Sequence, residues 1–478
     1  MLNSPSVSVL GPDPAHRRCV LNGNAFQQDA IQSFNNWQYA CFYSPLPGAE
    51  EPLYVHLSRR KLSQGSWETL VFEDYPQTTD DGHNTVQLGI CPGDGSLHLS
   101  YDHHCDVLRY RHSIPGVALS PEHHPWSPRL FTATLSQLPG LSSSPQVDTL
   151  LSYITYPRFV ALAPKSLLFT FRTGKAGLGD DHLALYTPAP SPPHPTAEED
   201  AEGKAPPPST GAGTGTYALL GTHLKGVANN PYIHGLDVDS RGTLHATWVY
   251  RGFVPYPGWD DPLDTQHKAQ AGPNGAENNH DICYAASPDG GRSWRNSDGD
   301  VVVADLLGGD GESVTPDARG ITVFAIPKGS GLTNQEAQAV DGRGGVHVLN
   351  RDSTGGDGVV RWKHYYRSPE GSWHQRPLPV PAVYGGKRGQ VAVSQTDDLY
   401  FVLPSHSEPD ALEILKASKE SRYAEYESVW RGDGFLPTEP LLDKARMQHD
   451  NVLSVFTRAP SAVRTGTGVD VVVLDFKL

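Results

Sequence analysis

GSLHL, residues 95–99, returns along the chain as GTLHA at 242–246, as the shorter GVHV at 345–348, and as DLYF at 398–401. The shared position, His98, His245, His347 and Tyr400, recurs after 147, 102 and 53 residues, close to three, two and one units of about 50. Each copy sets a turn residue ahead of alternating apolar residues, as a short strand leaving a tight turn requires. A repeat of roughly 40–50 residues with several strands per unit means a β-propeller. The expected fold is all-β: a single propeller of about seven blades over 19–478, behind an irregular arm at 1–18. VDVVVLDFKL (469–478) reads as a strand that closes the ring against the N-terminal segment.

A Gly-Ser-Trp turn recurs as well, at 65–67, within SPDGGRSW (287–294) and, shortened, within SPEGSW (368–373). The middle copy fits the S-x-D-x-G-x-S-W Asp box of propeller blades, in which Asp and Ser bond the turn backbone and Trp packs between strands. It informs architecture, not chemistry. The stretch 187–216 is rich in Pro, Ala, Ser, Glu and Gly without apolar periodicity, and is expected to be a disordered loop between strands, with a lid as the functional alternative.

Composition narrows the function. The net charge is −15, from 53 acidic and 38 basic residues with no basic block, which argues against nucleic acid. No apolar run approaches membrane-spanning length, and no charged segment followed by an apolar core opens the chain. No Asn-x-Ser/Thr sequon occurs, so localisation stays open. Five cysteines form no CxxC pair; one or two bridges are possible and an odd thiol must remain. The repeat histidines His98, His245 and His347 are expected to be packing residues.

Histidines outside the repeat register concentrate in DDGHNTVQLGICPGDGSLHLSYDHHCDVLRYRHS, residues 80–113. Two alternating runs, 86–90 and 97–101, flank a Pro-Gly-Asp-Gly turn, so a hairpin of half-buried strands is expected. It brings His83, on entry, to the same sheet edge as His103 and His104, on exit. Adjacent strand residues point opposite ways, so only one of His103 and His104 can face a site there; His103 is the favoured one.

The pieces DDGHN (80–84), SYDHHCDVLRYR (100–111), TYPRF (155–159) and FTFRTG (169–174) resemble the BNR-repeat propeller polysaccharide lyases, the group of ulvan lyases and rhamnose-glucuronate lyases. The similarity continues through PYIHGLDVDSRGTLHATWVYR (231–251) and LTNQEAQAVD (332–341), to about residue 390. It implies β-elimination at a 4-linked uronate, on gum-arabic-type side chains or ulvan. It implies catalytic roles for His83, His103 and Tyr156, a carboxylate-neutralising Arg172, and substrate contacts from Asn84, His104, Tyr232 and Arg158. An extracellular location and a monomer are expected with it.

The chemistry asks for those residue types. Removing the C5 proton of a uronate loads more negative charge beside its carboxylate, so the site needs a cation there, a base at C5 and an acid at O4. Arginine's fork matches a carboxylate and stays charged. Neutral histidine, with an ordinary pKa of about 6.5, can act as base near neutral pH, and tyrosine can serve as acid or base. Which of the pair His103 and Tyr156 is the base stays open. No catalytic metal and no cofactor is expected, although the acidic turns 298–300 and 308–312 could offer oxygens to a structural calcium. The alternatives are a sialidase-like propeller hydrolase and a uronate-binding propeller without activity. The modest RYRHS (109–113) and GGKRGQ (385–390) patches favour a non-sulfated substrate.

Overall fold

The computed structural model describes residues 1–190, 213–261, 264–269, 272–308, 312–406, 411–436, 438–462 and 468–478. Seven antiparallel sheets form a β-propeller. Their inner strands are Ile31–Phe34, Val86–Ile90, Ile154–Leu162, Asn229–Val238, Ala337–Val340, Gln390–Val393 and Leu441–Leu442. Seven clusters of buried apolar residues fill the interfaces between successive blades. The fold is thus held by blade-on-blade packing, and a strand in it is covered on both faces. Val86–Ile90 and Leu97–Tyr101 do pair as the hairpin expected, but both are buried throughout, because neighbouring blades sandwich them.

Ring closure corrects one expectation. Within the supposed irregular arm, Ser6–Pro12 is a strand and forms the outer edge of the seventh blade, paired with Val469–Lys477. The latter also pairs with Val452–Pro460, so the last blade is woven from both ends of the chain. Among the described residues, no helix is long and apolar enough to cross a membrane. All five cysteines are free, so no bridge staples the blades.

The repeat histidines are structural. His245 Nε2 lies 3.4 Å from Asp239 and its Nδ1 bonds Tyr284; His347 Nε2 lies 3.4 Å from Asp341 and its Nδ1 bonds His364. Each aspartate also accepts backbone N–H groups of its own turn, so the repeat couples turn to strand. In the Asp box, Asp289 accepts from Ser287, from the Ser293 hydroxyl and from the Ser293 N–H, while Trp294 is fully buried and donates to the Gly291 carbonyl. Trp294→Ala is expected to destabilise the protein by about 3–5 kcal/mol, because a buried indole leaves a cavity that packed blades cannot close. Denaturant titration measures it, and a loss below about 1 kcal/mol would contradict the packing role.

Strand alternation gives the ring two distinct faces. The starts of inner strands and the ends of second strands share one face, and the turns that follow inner strands share the other. Thr187 and Thr216, which bracket the insertion, lie on the second face. Residues 191–212 of that stretch lie outside the described residues, as do 309–311 of the second acidic turn. In the first acidic turn, Asn296 Oδ1 accepts the backbone N–H groups of Asp298 and Asp300.

Candidate active site

Every blade delivers a polar or aromatic side chain to the first face just before or at the start of its inner strand: Phe26, His83, Tyr156, Tyr232, Asn334, Arg388 and Glu439. Asp81 organises the histidines. It accepts the His83 backbone N–H in an Asx turn at 2.9 Å, the His83 Nδ1 at 2.6 Å and the His104 Nδ1 at 2.6 Å. The imidazoles stack at 3.8 Å, and Phe26 covers the other side of His83 at 4.9 Å.

Electrostatics settles the protonation pattern. Burial opposes ionisation of Asp81, but the hydrogen bonds from His104 and His83 outweigh it and hold the carboxyl far below the usual range. Burial and the adjacent His83 push His104 down to about 4, against the pull of Asp81. An ionised Asp81 can only accept, so both imidazoles present Nδ1–H to it.

Tyr156 and Arg172 come from paired strands. Pairing slips between Thr155↔Arg172 and Arg158↔Thr170, and this bulge holds Tyr156 at φ +54°. A left-handed tyrosine costs of order 1–3 kcal/mol and persists where surrounding structure over-determines it, as at working sites. The bulge re-aims the ring, which lies 5.7 Å from His83, 5.2 Å from Phe26 and 6.0 Å from Tyr232. Burial and the neighbouring Tyr232 raise its pKa, against the opposing pull of Arg172, Arg251 and Arg388. The hydroxyl stays protonated.

Arg172 is buried with its guanidinium 4.9 Å from the Tyr156 ring. It donates to the Gly174 carbonyl at 3.2 Å, approaches Cys105 Sγ at 3.7 Å and Tyr232 Oη at 3.5 Å, and its Nε has no partner. The nearby Asp181 is engaged instead by Thr170 and His223. Of the other buried arginines, Arg351 is matched to Glu336 and Arg388 to Glu439, while Arg251 donates to Asn279, Asn274 and Asn334. A buried cation without a carboxylate, holding an unused donor, fits an anionic ligand.

The structure therefore gathers His83, His104, Tyr156, Arg172 and Tyr232. Three residues of the sequence-based set fall outside. His103 is 1% exposed, and its Nε2 accepts the Arg109 backbone N–H at 2.9 Å, so the lone pair a base would use is committed to the fold. Asn84 is buried and donates to Asp102 Oδ1 at 2.8 Å, bracing the turn behind the site. Arg158 donates to the Ile233 carbonyl and lines a 660 Å³ well that extends to the opposite face, with Asp29, Asp237 and Lys444. Sequence reasoning missed Asp81, Phe26, Asn334, Arg388 and Glu439 as site-forming groups. Their common signal is position, immediately ahead of an inner strand.

The two histidines separate in a simple experiment. His104→Ala is expected to cut turnover at least tenfold, whereas His103→Ala is expected to cost about 1–3 kcal/mol of stability by orphaning the Arg109 N–H, with turnover of the folded fraction retained. Equal turnover losses in the two variants would contradict the geometry. Asp81, His83 and His104 could also hold a cation, since their ligand atoms lie within 4.8 Å of one another, though both Nδ1 atoms bond Asp81 here.

The propeller and this face define the class: residues 37–380 match the model of BNR repeat-containing family members, and the chain belongs to that family. An ulvan lyase, long isoform, of Alteromonas sp. is 23% identical over 173 residues, which are 30% of this chain and 17% of that protein. The chain thus matches less than a fifth of that relative's length. The crystal structure of polysaccharide lyase Uly1 superposes with a TM-score of 0.64 at 14% identity, covering 94% of this chain and 90% of that one. A PL25 ulvan lyase bound to -[GlcA(1-4)Rha3S]- gives 0.58 at 12% identity over 95% of this chain and 93% of that one. These likenesses establish the shared propeller fold.

Proposed function

We propose that the protein is a polysaccharide lyase that cleaves rhamnosyl-(1→4)-glucuronate linkages by β-elimination, on gum-arabic-type side chains or ulvan. The observation that carries this reading is Arg172, a buried guanidinium with no carboxylate partner among the described residues, beside a tyrosine and two imidazoles oriented by Asp81. In the proposed cycle Arg172 takes the uronate carboxylate and stabilises the charge that develops there. His83, the more open imidazole, removes the C5 proton through Nε2, with Asp81 holding its tautomer and His104 stacked behind it. Tyr156, kept protonated, donates to O4 as the C4–O4 bond breaks. The electron pair of the C5–H bond becomes the C4=C5 double bond, and no water is consumed.

The names of the relatives support the reaction class, and the ligand bound to the solved neighbour, -[GlcA(1-4)Rha3S]-, joins glucuronate to a 3-sulfated rhamnose. A hydrolase would need a nucleophile or activated water, and the groups gathered here supply a base, an acid and a carboxylate-binding cation instead. Incubation with rhamnosyl-glucuronate polymers should give new ultraviolet absorbance from a 4,5-unsaturated uronate. Reducing ends without that chromophore would mean hydrolysis, and binding without products would mean a lectin. Because Arg172 supplies the charge, activity is expected to survive exhaustive EDTA treatment; loss restored by a divalent cation would move the carboxylate-binding role to a metal on Asp81, His83 and His104.

A further inference from the structure

A second cavity opens on the same face and shares Asn334, Arg388 and Glu439 with the rim of the candidate site. It has a volume of 230 Å³ and is walled by Leu332, Asn334, Tyr384, Lys387, Arg388 and Glu439. Tyr384 is 51% exposed, an unusual state for a large ring. One edge of that ring lies over Gly331, where a Cβ would sit 3.2 Å from it. The loop that follows is fixed: a Cβ on Gly386 would meet His406 at 2.6 Å, and the Lys387 carbonyl accepts from Arg351 and His406. The ring is therefore presented on a rigid support.

The cavity joins the site through one hydrogen-bonded wall. Arg388 donates to the Asn334 carbonyl at 2.6 Å and to its Oδ1 at 3.0 Å, and Asn334 Oδ1 also accepts from Arg251 at 3.0 Å. Arg251 lies 4.6 Å from the Tyr232 ring, and Arg388 lies 4.9 Å from the Phe26 ring that covers His83. The contacts thus run from Arg172 past the Tyr232 ring to Arg251, Asn334 and the cavity, the direction in which a bound glycan would extend. The charge of Arg388 is already spent, since Glu439 Oε1 lies 3.0 Å from both its Nη1 and its backbone nitrogen. An anionic substituent would meet the Glu439 carboxylate at the wall.

We propose that this cavity is the subsite for the sugar next to the uronate, that it takes an uncharged deoxyhexose such as rhamnose, and that Tyr384 is its stacking platform. An amphipathic ring beside a few fixed polar groups is the construction a pyranose requires, with an apolar face and hydroxyl edges. This inference rests on the lyase reading for the identity of the uronate neighbour.

The test compares Tyr384→Ala, Tyr384→Phe and Lys387→Ala, the last removing an exposed cation that lines the cavity. On a non-sulfated rhamnosyl-glucuronate substrate, Tyr384→Ala should raise KM about tenfold with kcat within about twofold, as lost stacking predicts. Tyr384→Phe should match wild type, and Lys387→Ala should leave the ratio of non-sulfated to sulfated turnover unchanged, since an uncharged sugar makes no use of that cation. An unchanged KM in Tyr384→Ala overturns the subsite, and so does a preference for sulfated substrate that Lys387→Ala abolishes. If wild type eliminates no uronate polymer, the lyase reading falls on its own, and the subsite is judged by saturation-transfer NMR with methyl α-rhamnoside. Transfer present in wild type and lost in Tyr384→Ala upholds it; no transfer, or transfer equal in both, overturns it.

Discussion

Arg172→Ala is expected to lower kcat/KM on a uronate polymer by about a thousandfold or more, equivalent to roughly 4 kcal/mol of transition-state stabilisation. The size follows from burial. Arg172 sits in a nearly dry pocket where a charge acts at low dielectric, and its Nε is unused in the free protein. Arg172→Lys should recover little, because a point charge cannot reproduce the bidentate fork and would also lose the Gly174 contact. The stability cost should be small or favourable, since the substitution removes a buried charge that no carboxylate balances. A variant that is at least as stable as wild type and nearly inactive is the combined result to expect. Retained activity would mean that the carboxylate binds elsewhere.

The second large effect is on stability against pH. Burial is the leading cause that pushes His104 and His182 down to about 4 and His234 down to about 3, and it holds His98, His103 and His364 well below their ordinary range. In the unfolded chain each titrates near 6.5. Between these values the unfolded state binds more protons, so stability rises with pH across the window and falls as the solution is acidified. For His104 alone the difference corresponds to on the order of 3 kcal/mol. The stability these groups permit is fully present above about pH 6.5 and is lost as pH drops toward 4. Asp81 acts in the same direction, but its depressed carboxyl loses its contribution only at still lower pH, below the window of the histidines. Thermal unfolding followed from pH 8 to pH 4 should show a flat Tm above pH 7 and a steep fall below 6.5. A Tm independent of pH down to 4.5 would show that these histidines are not buried as neutral groups.

Much of the architecture could be read from residues close together in sequence. The glycine-apolar-histidine repeat marks second strands because its turn, its strand and its histidine contact all fall within about ten residues. The closing strand 469–478 was legible from its apolar run, whereas its partner Ser6–Pro12 reads as irregular because its own Val7 and Val9 face solvent. The site divides the same way. His83, Tyr156 and Arg172 lie in short motifs, and the fold gathers them. The choice between His103 and His104 could not come from strand parity, since Asp102 and Cys105 adopt positive φ on either side and break the alternation. What decides it is non-local: Asp81 captures His104, and the Arg109 N–H captures His103. Arg158 illustrates a related limit. Two residues beyond Tyr156 in a regular strand it would share the same side and the same rim, but the bulge spends that step, and the guanidinium lies deeper along the axis.

The central claim is that a carbon–oxygen bond breaks without water. Digestion of a rhamnosyl-glucuronate substrate in ¹⁸O-labelled water, followed by mass spectrometry of the products, tests it most directly. The account predicts a uronate product carrying a double bond, one water lighter than the hydrolytic product, with ¹⁸O entering the released anomeric hydroxyl no faster than it exchanges into free rhamnose. Incorporation of one ¹⁸O per cleavage, with no unsaturated uronate, would contradict it.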